Sequence, residues 1–128
     1  MKKTFIAISA LVLLLTGCSS GNSAITGVNA NEFVQKIGDQ SIQVIDVRTA
    51  GEYAEGHLTN SLNIDAEGYT FDSDIAKLDK SKTYALYCHS GRRSAIAANA
   101  MAKAGFTSII NLQGGGFAEL VSAGATTA

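Results

Sequence analysis

The residues with the clearest potential for chemistry are a cysteine and two arginines that follow an apolar segment. Cys88 ends the run Tyr-Ala-Leu-Tyr-Cys, and His-Ser-Gly-Arg-Arg-Ser follows at positions 89–94. The thiolate is the nucleophilic form of cysteine, and its pKa falls at a helix N-terminus or beside arginine. A short loop that leads into a helix also presents backbone N–H groups to an anion. The segment therefore predicts a reactive thiolate at Cys88 inside an anion-binding loop.

Two features of this loop suit an oxyanion. Gly91 permits a backbone conformation that a side chain would forbid, and Arg92 or Arg93 could bind an oxyanion through two hydrogen bonds. The alternative is that Cys88 is an inert, buried cysteine at the end of a strand. The polar residues that surround it favour the reactive thiol.

The elements that position this loop alternate between strands and helices. Strand-like patterns cover a segment around Ile25 and residues 41–47, 61–64, 83–87 and 108–112. Helical patterns cover residues 30–37 after an Asn29 cap, 50–55, 74–78, 94–104 before a closing Gly105, and 117–121. This alternation predicts an α/β fold, with a parallel sheet of about five strands and helices on both faces. Ligands of such sheets bind at the carboxyl ends of strands, which is where Cys88 falls.

Four segments, in this order, resemble the motifs of rhodanese-like sulfurtransferases. They are Val-Ile-Asp-Val-Arg at 44–48, Glu-Tyr-Ala-Glu-Gly-His-Leu at 52–58 with Ser-Leu-Asn-Ile at 61–64, Cys-x-x-Gly-x-Arg-Ser at 88–94, and Leu-Gln-Gly-Gly at 112–115. The resemblance covers about residues 25–121. It implies a rhodanese-like fold and a sulfane sulfur that Cys88 carries as a persulfide.

The resemblance also implies roles for individual residues. Cys88 is the expected catalytic residue, and the expected substrate-binding residues are His89, Ser90, Gly91, Arg92, Arg93 and Ser94. A small sulfur-containing anion such as thiosulfate is the implied donor, and cyanide or a thiol is the implied acceptor. Asp46 and Arg48 either orient the active loop or form a plain structural ion pair. No cofactor, metal or nucleic acid is expected, and a monomer is expected.

Two positions depart from the family pattern. His89 occupies a loop position that is often basic, and histidine is mostly neutral near pH 7, which leaves the choice of donor open. The tryptophan that usually follows the Gly-Gly pair is absent, since the chain has none and continues with Gly116 and Phe117. Phe117 is expected to fill the same core position.

Two other functions compete with sulfur transfer. Cysteine phosphatases and arsenate reductases use a Cys-x5-Arg loop, whereas here Arg93 comes one position earlier and makes a smaller loop. A second alternative is a rhodanese module that binds a partner protein or senses redox state without catalysis. Such modules typically lose the cysteine that this chain retains, although a thiol of low pKa could be oxidised.

The N-terminus has the pattern of an export signal. Lys2 and Lys3 precede an apolar run at 5–15, which is shorter than the roughly 20 residues that span a bilayer. Leu-Thr-Gly-Cys at 15–18 resembles the lipobox of bacterial lipoproteins, in which the cysteine is lipidated. An ordinary signal peptide with a free Cys18 is the alternative. Lipidation would leave Cys88 without an intrachain disulfide partner.

These signals predict the organisation of the chain. Residues 1–17 form a lipoprotein signal peptide, 18–24 a lipidated Cys18 and flexible tether, 25–121 a rhodanese-like domain, and 122–128 a frayed tail. The expected location is the periplasmic face of the cell envelope, with a lipid on Cys18 in the membrane. Ser19 in place of aspartate favours the outer membrane in a Gram-negative cell. The net charge of −1 over 128 residues does not suggest a nucleic-acid binder.

Overall fold

Strands and helices alternate along the chain, as the sequence predicts. The computed structural model describes residues 23–128, and the structural statements that follow concern those residues. The elements in chain order are β1 (Ile25–Val28), α1 (Ala30–Lys36), β2 (Gln43–Asp46), α2 (Ala50–Ala54), β3 (Leu62–Asn63), α3 (Phe71–Ala76), β4 (Thr83–Tyr87), α4 (Arg92–Lys103), β5 (Ser108–Leu112) and α5 (Phe117–Ser122).

The five strands form one parallel sheet in the order β1-β5-β4-β2-β3. Strand β4 is central, and Ala85 pairs with Val44 of β2 on one side and with Ile110 of β5 on the other. Pairing with β2 and β5 holds β4 along both edges, so Cys88, the residue after β4, has a fixed position. The predicted α/β architecture is confirmed.

Side chains of successive residues in β4 point to opposite faces of the sheet, as the pleat of a strand requires. Tyr84, Leu86 and Cys88 pack in the cluster that contains α3 and α4, together with Ile75 and Met101. Ala85 and Tyr87 pack in the second cluster, with Phe33 of α1 and Leu120 of α5. The sheet is therefore covered on both faces, and Cys88 lies on the α4 side.

Local signals define two of the helices. The side chain of Asn29 accepts a hydrogen bond from the backbone N–H of Glu32 (3.0 Å), and the Glu32 carboxylate accepts one from the backbone N–H of Asn29 (3.1 Å). This capping box confirms the predicted start of α1. Gly105 follows the end of α4 with φ of 102°, the left-handed conformation that glycine adopts without strain.

Two helix starts differ from the sequence-based expectation, and the helix ends differ by one or two residues. Helix α4 begins at Arg92, two residues before the predicted start, because Gly91 ends the preceding loop and serves as its N-cap. Helix α3 begins at Phe71 and not at residue 74, since Phe71 and Ile75 are one turn apart and are both buried.

The C-terminal tail, which was expected to be frayed, is paired with the segment after α2. Ala128 and His57 exchange two backbone hydrogen bonds (2.9 and 3.2 Å), and Thr59 donates to the carbonyl of Thr126 (3.0 Å). Leu58 lies between these bonds and is only 1% exposed. The expectation of a frayed tail is therefore wrong, because the tail satisfies backbone groups beside a buried leucine.

The part of the chain that the structure describes contains no helix of the length and apolarity needed to cross a membrane. The predicted signal peptide, lipidated Cys18 and most of the tether lie outside the described residues.

Candidate active site

Cys88 lies at the carboxyl end of the central strand and faces α4. Its side chain is almost completely buried, at 1% exposure, and its Sγ accepts a hydrogen bond of 3.0 Å from the backbone N–H of Gly91. Gly91 has φ of 101°, a left-handed conformation that lets the loop turn directly into α4. The strand end, the turn at Gly91 and the start of α4 thus form a cradle around one sulfur atom.

Helix α4 begins at this cradle without a side-chain cap from any described residue. The first N–H groups of a helix have no partner within it, and they make its N-terminus partially positive. Those groups are available to the sulfur of Cys88. Ser94, which is fully buried in the first turn, adds a hydroxyl that lies 3.2 Å from the Gly91 carbonyl oxygen.

Opposing effects act on the pKa of Cys88. Burial raises it, but hydrogen bonds from the backbone and hydroxyl of Ser94, and from the backbones of Ser90 and Gly91, lower it. The hydrogen bonds prevail, and the pKa of Cys88 lies below its ordinary value of 9.0. The loop therefore favours the thiolate, the reactive form of cysteine.

The two loop arginines are both paired with carboxylates. Arg93 donates to both carboxylate oxygens of Glu52 (2.7 and 2.9 Å), and Arg92 donates to Glu67 (2.6 Å) on the surface. Hydrogen bonding to Arg93 is the main cause that lowers the pKa of Glu52 to about 2. The roles of Arg92 and Arg93 in binding a substrate anion therefore stay predictions, since each guanidinium already has a partner. His89 and Ser90 are exposed at the tip of the loop.

Asp46 and Arg48 form a buried ion pair at the neighbouring strand end. The Nε and Nη2 atoms of Arg48 lie 2.9 and 2.6 Å from the two carboxylate oxygens, and Nη2 also donates to the carbonyl of Gly56 (2.7 Å). The hydroxyl of Tyr87 donates to Asp46 (2.6 Å), which together with burial raises the pKa of Tyr87. The pair contacts the residue before Cys88 and makes no hydrogen bond with the thiol.

The segment after β5 packs tightly on the loop. Phe117 donates its backbone N–H to the carbonyl of Cys88 (2.9 Å), and a Cβ at Gly116 would collide with the backbone of His89 and Cys88. Only glycine allows this approach. Phe117 packs in the second core cluster and stacks on Tyr87, with ring centroids 6.1 Å apart, while the Arg48 guanidinium lies 4.4 Å from its ring centroid.

Sequence reasoning missed three residues that build this site. Glu52 lies in a segment that carried the family resemblance, but its partner Arg93 is 41 residues away. Tyr87 lies in an apolar strand pattern, but its hydroxyl binds Asp46, also 41 residues away. Gly116 is the last of three consecutive glycines at 114–116. A run of three glycines after a strand was the one available signal of a close backbone approach.

A groove of about 340 Å³ adjoins the loop at His89. It is lined by Arg48, Glu52, Glu55, Gly56, His89 and Phe117. Because Phe117 is hydrogen-bonded to the carbonyl of Cys88, this groove borders the cradle directly.

Comparison with known proteins shows the family to which the chain belongs. Residues 29–119 match the rhodanese-like domain family. A thiosulfate sulfurtransferase, GlpE, of Pseudomonas aeruginosa is 30% identical over 86 residues, which is 67% of this chain and 76% of that protein. A Bacillus subtilis protein named as a sulfur carrier, YrkF, is 33% identical over 95 residues, or 73% of this chain. The chain spans only 50% of the length of YrkF.

Solved structures agree with this comparison. The chain superimposes on a rhodanese-related protein of Thermoplasma volcanium with a TM-score of 0.69 and 27% identity, covering 80% of this chain and 96% of that one. The chain therefore belongs to the rhodanese-like domain family, several members of which are named sulfurtransferases.

The buried ion pair allows a first prediction. Asp46→Asn keeps the shape of the side chain but leaves the guanidinium of Arg48 buried without a counter-charge. We expect the free energy of unfolding to fall by about 3 to 5 kcal/mol, as when one partner of a buried pair is removed. Urea denaturation monitored by circular dichroism measures this free energy. Asp72→Asn, at a helix residue whose side chain is exposed, is the control and should change it by less than about 0.5 kcal/mol. Equal effects of both substitutions would contradict the assignment.

The hydrogen bonds to Cys88 allow a second prediction, on its titration. Because they favour the thiolate, alkylation by iodoacetamide should rise with pH through a midpoint below 9.0. The same cysteine in urea-unfolded protein provides the unperturbed reference. Ser94→Ala removes one of the donors and should move the midpoint upward. A folded-state midpoint at or above that of the unfolded chain would show that burial outweighs the loop.

Proposed function

We propose that this protein is a sulfurtransferase that moves a sulfane sulfur from a donor such as thiosulfate to a thiophilic acceptor, either cyanide or a thiol, through a persulfide on Cys88. The observation that carries the proposal is the thiol at the end of β4, with the Gly91 N–H 3.0 Å from its Sγ and the N-terminus of α4 beside it. Relatives that are named sulfurtransferases support it.

The proposed reaction has two displacement steps. In the first, the Cys88 thiolate attacks the outer sulfur of thiosulfate, the S–S bond breaks, and sulfite leaves with the electron pair. In the second, the acceptor attacks the outer sulfur of the Cys88 persulfide, and the Cys88 thiolate leaves. No external oxidant or reductant is needed, since each step transfers one sulfur atom between nucleophiles.

The loop residues hold the negative charge throughout this cycle. The backbone N–H groups of Ser90 and Gly91, with Ser94, lower the pKa of Cys88, and in the proposal they also stabilise the persulfide. In the proposal His89, Arg92 and Arg93 flank the entrance, where the leaving group departs. Asp46 and Arg48 act through Tyr87, which fixes the strand end from which the loop starts.

The geometry gives less support to phosphate chemistry. A phosphatase loop needs an arginine free to bind the phosphate oxygens, and Arg93 follows Cys88 by only five positions. Both of its terminal nitrogens are bound to Glu52. The cradle fits the single outer sulfur of a persulfide, held by backbone donors, better than a whole phosphate group bound to Cys88.

Sulfur loading provides the test of this proposal. After treatment with thiosulfate, the full chain should gain about 32 mass units, the mass of one persulfide sulfur, and should then form thiocyanate from cyanide. Cys88→Ser should abolish both signals, because the serine hydroxyl cannot carry sulfane sulfur. Cys18→Ser is the matched control and should retain them. Thiocyanate formation by Cys88→Ser, or hydrolysis of a phosphate ester without sulfur uptake, would overturn the proposal.

We further propose that the rhodanese-like domain, residues 25–121, is the folded domain of a lipoprotein. In this proposal residues 1–17 are the signal peptide, and Cys18 carries the lipid at the periplasmic face of the cell envelope. The support is the sequence alone: Lys2 and Lys3, the apolar run, and Leu-Thr-Gly-Cys at 15–18. Ser19 favours the outer membrane if the cell is Gram-negative.

Lipidation can be tested by expression in bacteria fed with labelled palmitate. Label should enter the wild-type chain and be lost in Cys18→Ala, which should also move from the membrane fraction to the soluble fraction. Cys88→Ala, which removes the other thiol, should stay labelled and membrane-bound. Retention of label in Cys18→Ala would contradict an anchor at this residue.

A further inference from the structure

Cations at the carboxyl edge of the sheet are all paired with carboxylates. The sequence has three arginines, and they bind Asp46, Glu67 and Glu52. The lysines of the described chain lie toward the opposite edge, because each ends a helix, follows one or precedes β4 (Lys36, Lys77, Lys80, Lys82 and Lys103). The cradle around Cys88 thus has backbone donors, but no unpaired arginine or lysine from residues 23–128.

One charge in the groove beside the cradle has no partner. Glu55 lines the groove with Glu52, His89 and Phe117, and within residues 23–128 its carboxylate makes no hydrogen bond or ion pair. Glu52 is neutralised by Arg93, and Arg48 by Asp46. The groove therefore has a net negative charge next to an aromatic wall.

The groove is where the organic part of a thiol would lie. A molecule whose sulfur reaches Cys88 must leave its remaining atoms at the mouth of the loop, and His89 belongs both to the loop and to the groove wall. The volume of about 340 Å³ is far larger than a sulfite ion needs. Gly116 and Phe117 pack against another side of the loop, where the Phe117 N–H donates a hydrogen bond to the Cys88 carbonyl.

We infer that the thiol that exchanges sulfur with Cys88 is a small organic thiol bearing a cationic amino group, which the Glu55 carboxylate attracts into this groove. The inference rests on the proposed sulfurtransferase function and names the substrate class for it. Thiosulfate, which loads Cys88 in the test of the proposed function, gains no such attraction, because its charges meet a thiolate and an unpaired carboxylate.

The exchange is balanced without any further reactant. The thiolate of the small thiol attacks the outer sulfur of the Cys88 persulfide and forms a new S–S bond. The bond within the Cys88 persulfide breaks, the electron pair returns to Cys88 as thiolate, and the small thiol becomes a persulfide. In the reverse direction the same persulfide is a donor, so one groove serves both directions.

The test measures discharge of loaded protein by three thiols that differ in charge. The full chain is loaded with excess thiosulfate or with polysulfide, desalted, and mixed with 2-aminoethanethiol, 2-mercaptoethanol or 3-mercaptopropanoate. Mass spectrometry follows the loss of the persulfide sulfur, and each rate is divided by the thiolate concentration. The comparison is the ratio of the cationic to the anionic thiol in wild type, Glu55→Gln, Glu55→Lys and Asp72→Asn, because intrinsic thiol reactivity cancels between variants.

In wild type the cationic thiol should be favoured, with the neutral thiol between the two others. Glu55→Gln should lower the ratio roughly three- to tenfold, because the exposed Glu55 carboxylate then no longer attracts the cationic thiol or repels the anionic one. Glu55→Lys should lower it further, and Asp72→Asn should leave it unchanged.

Two outcomes separate the failure of this inference from that of the proposed function. If the persulfide forms and discharges with the same ratio in wild type, Glu55→Gln and Glu55→Lys, the inference is overturned and the sulfurtransferase function stands. If neither thiosulfate nor polysulfide loads Cys88, the proposed function fails and the inference fails with it.

Discussion

The carboxylate of Asp46 and the guanidinium of Arg48 are almost completely removed from water, and the carboxyl edge of the sheet is assembled around them. Tyr87 donates to the carboxylate, and the side chain of Asn63 donates to the backbone carbonyls of both residues. A buried ion pair is tolerated only when its other donors and acceptors are satisfied. Strands β3 and β4 and the turn after α2 therefore hold their positions together. Tyr87 immediately precedes Cys88, so this pair also sets where the reactive loop begins.

In the loop that begins after Tyr87, backbone dipoles stabilise the thiolate of Cys88. The N–H of Gly91 and the first turn of α4 are fixed by the fold and need no reorganisation when charge forms on sulfur. Arginine at a helix N-terminus opposes the helix dipole, and the pairing of Arg93 with Glu52 offsets that repulsion. The Arg93–Glu52 ion pair thus stabilises the start of α4, but it leaves the Arg93 guanidinium unavailable to an anion in the cradle.

The sequence could predict features that depend on neighbouring residues, but not those that depend on contacts between distant ones. The capping box at Asn29, the end of α4 at Gly105 and the place of Cys88 at a strand end all depend on neighbouring residues, and local chemistry revealed them. Arg93 and Glu52 are 41 residues apart, as are Tyr87 and Asp46, so these two contacts depend on the register of the assembled sheet. The start of α3 depends on the burial of Phe71 in the core. The pairing of the C-terminal tail depends on residues 57–59, which lie far from it in the sequence. The charge state of the site was thus the part that the sequence concealed.

That charge state bears on the chemistry of the proposed sulfur cycle. In this proposal the cradle holds one negative charge as the Cys88 thiolate and at most one as the persulfide, and its fixed backbone donors match a single charge. A dianion brought to about 4 Å of the thiolate adds repulsion of roughly 4 kcal/mol per unit charge at an effective dielectric constant of about 20. The arginines that could offset this repulsion are bound to Glu52 and Glu67. A thiol whose organic part is neutral or cationic avoids this repulsion. In the proposed exchange the charge of its attacking sulfur is replaced by that of the Cys88 thiolate, so the total charge in the cradle is unchanged.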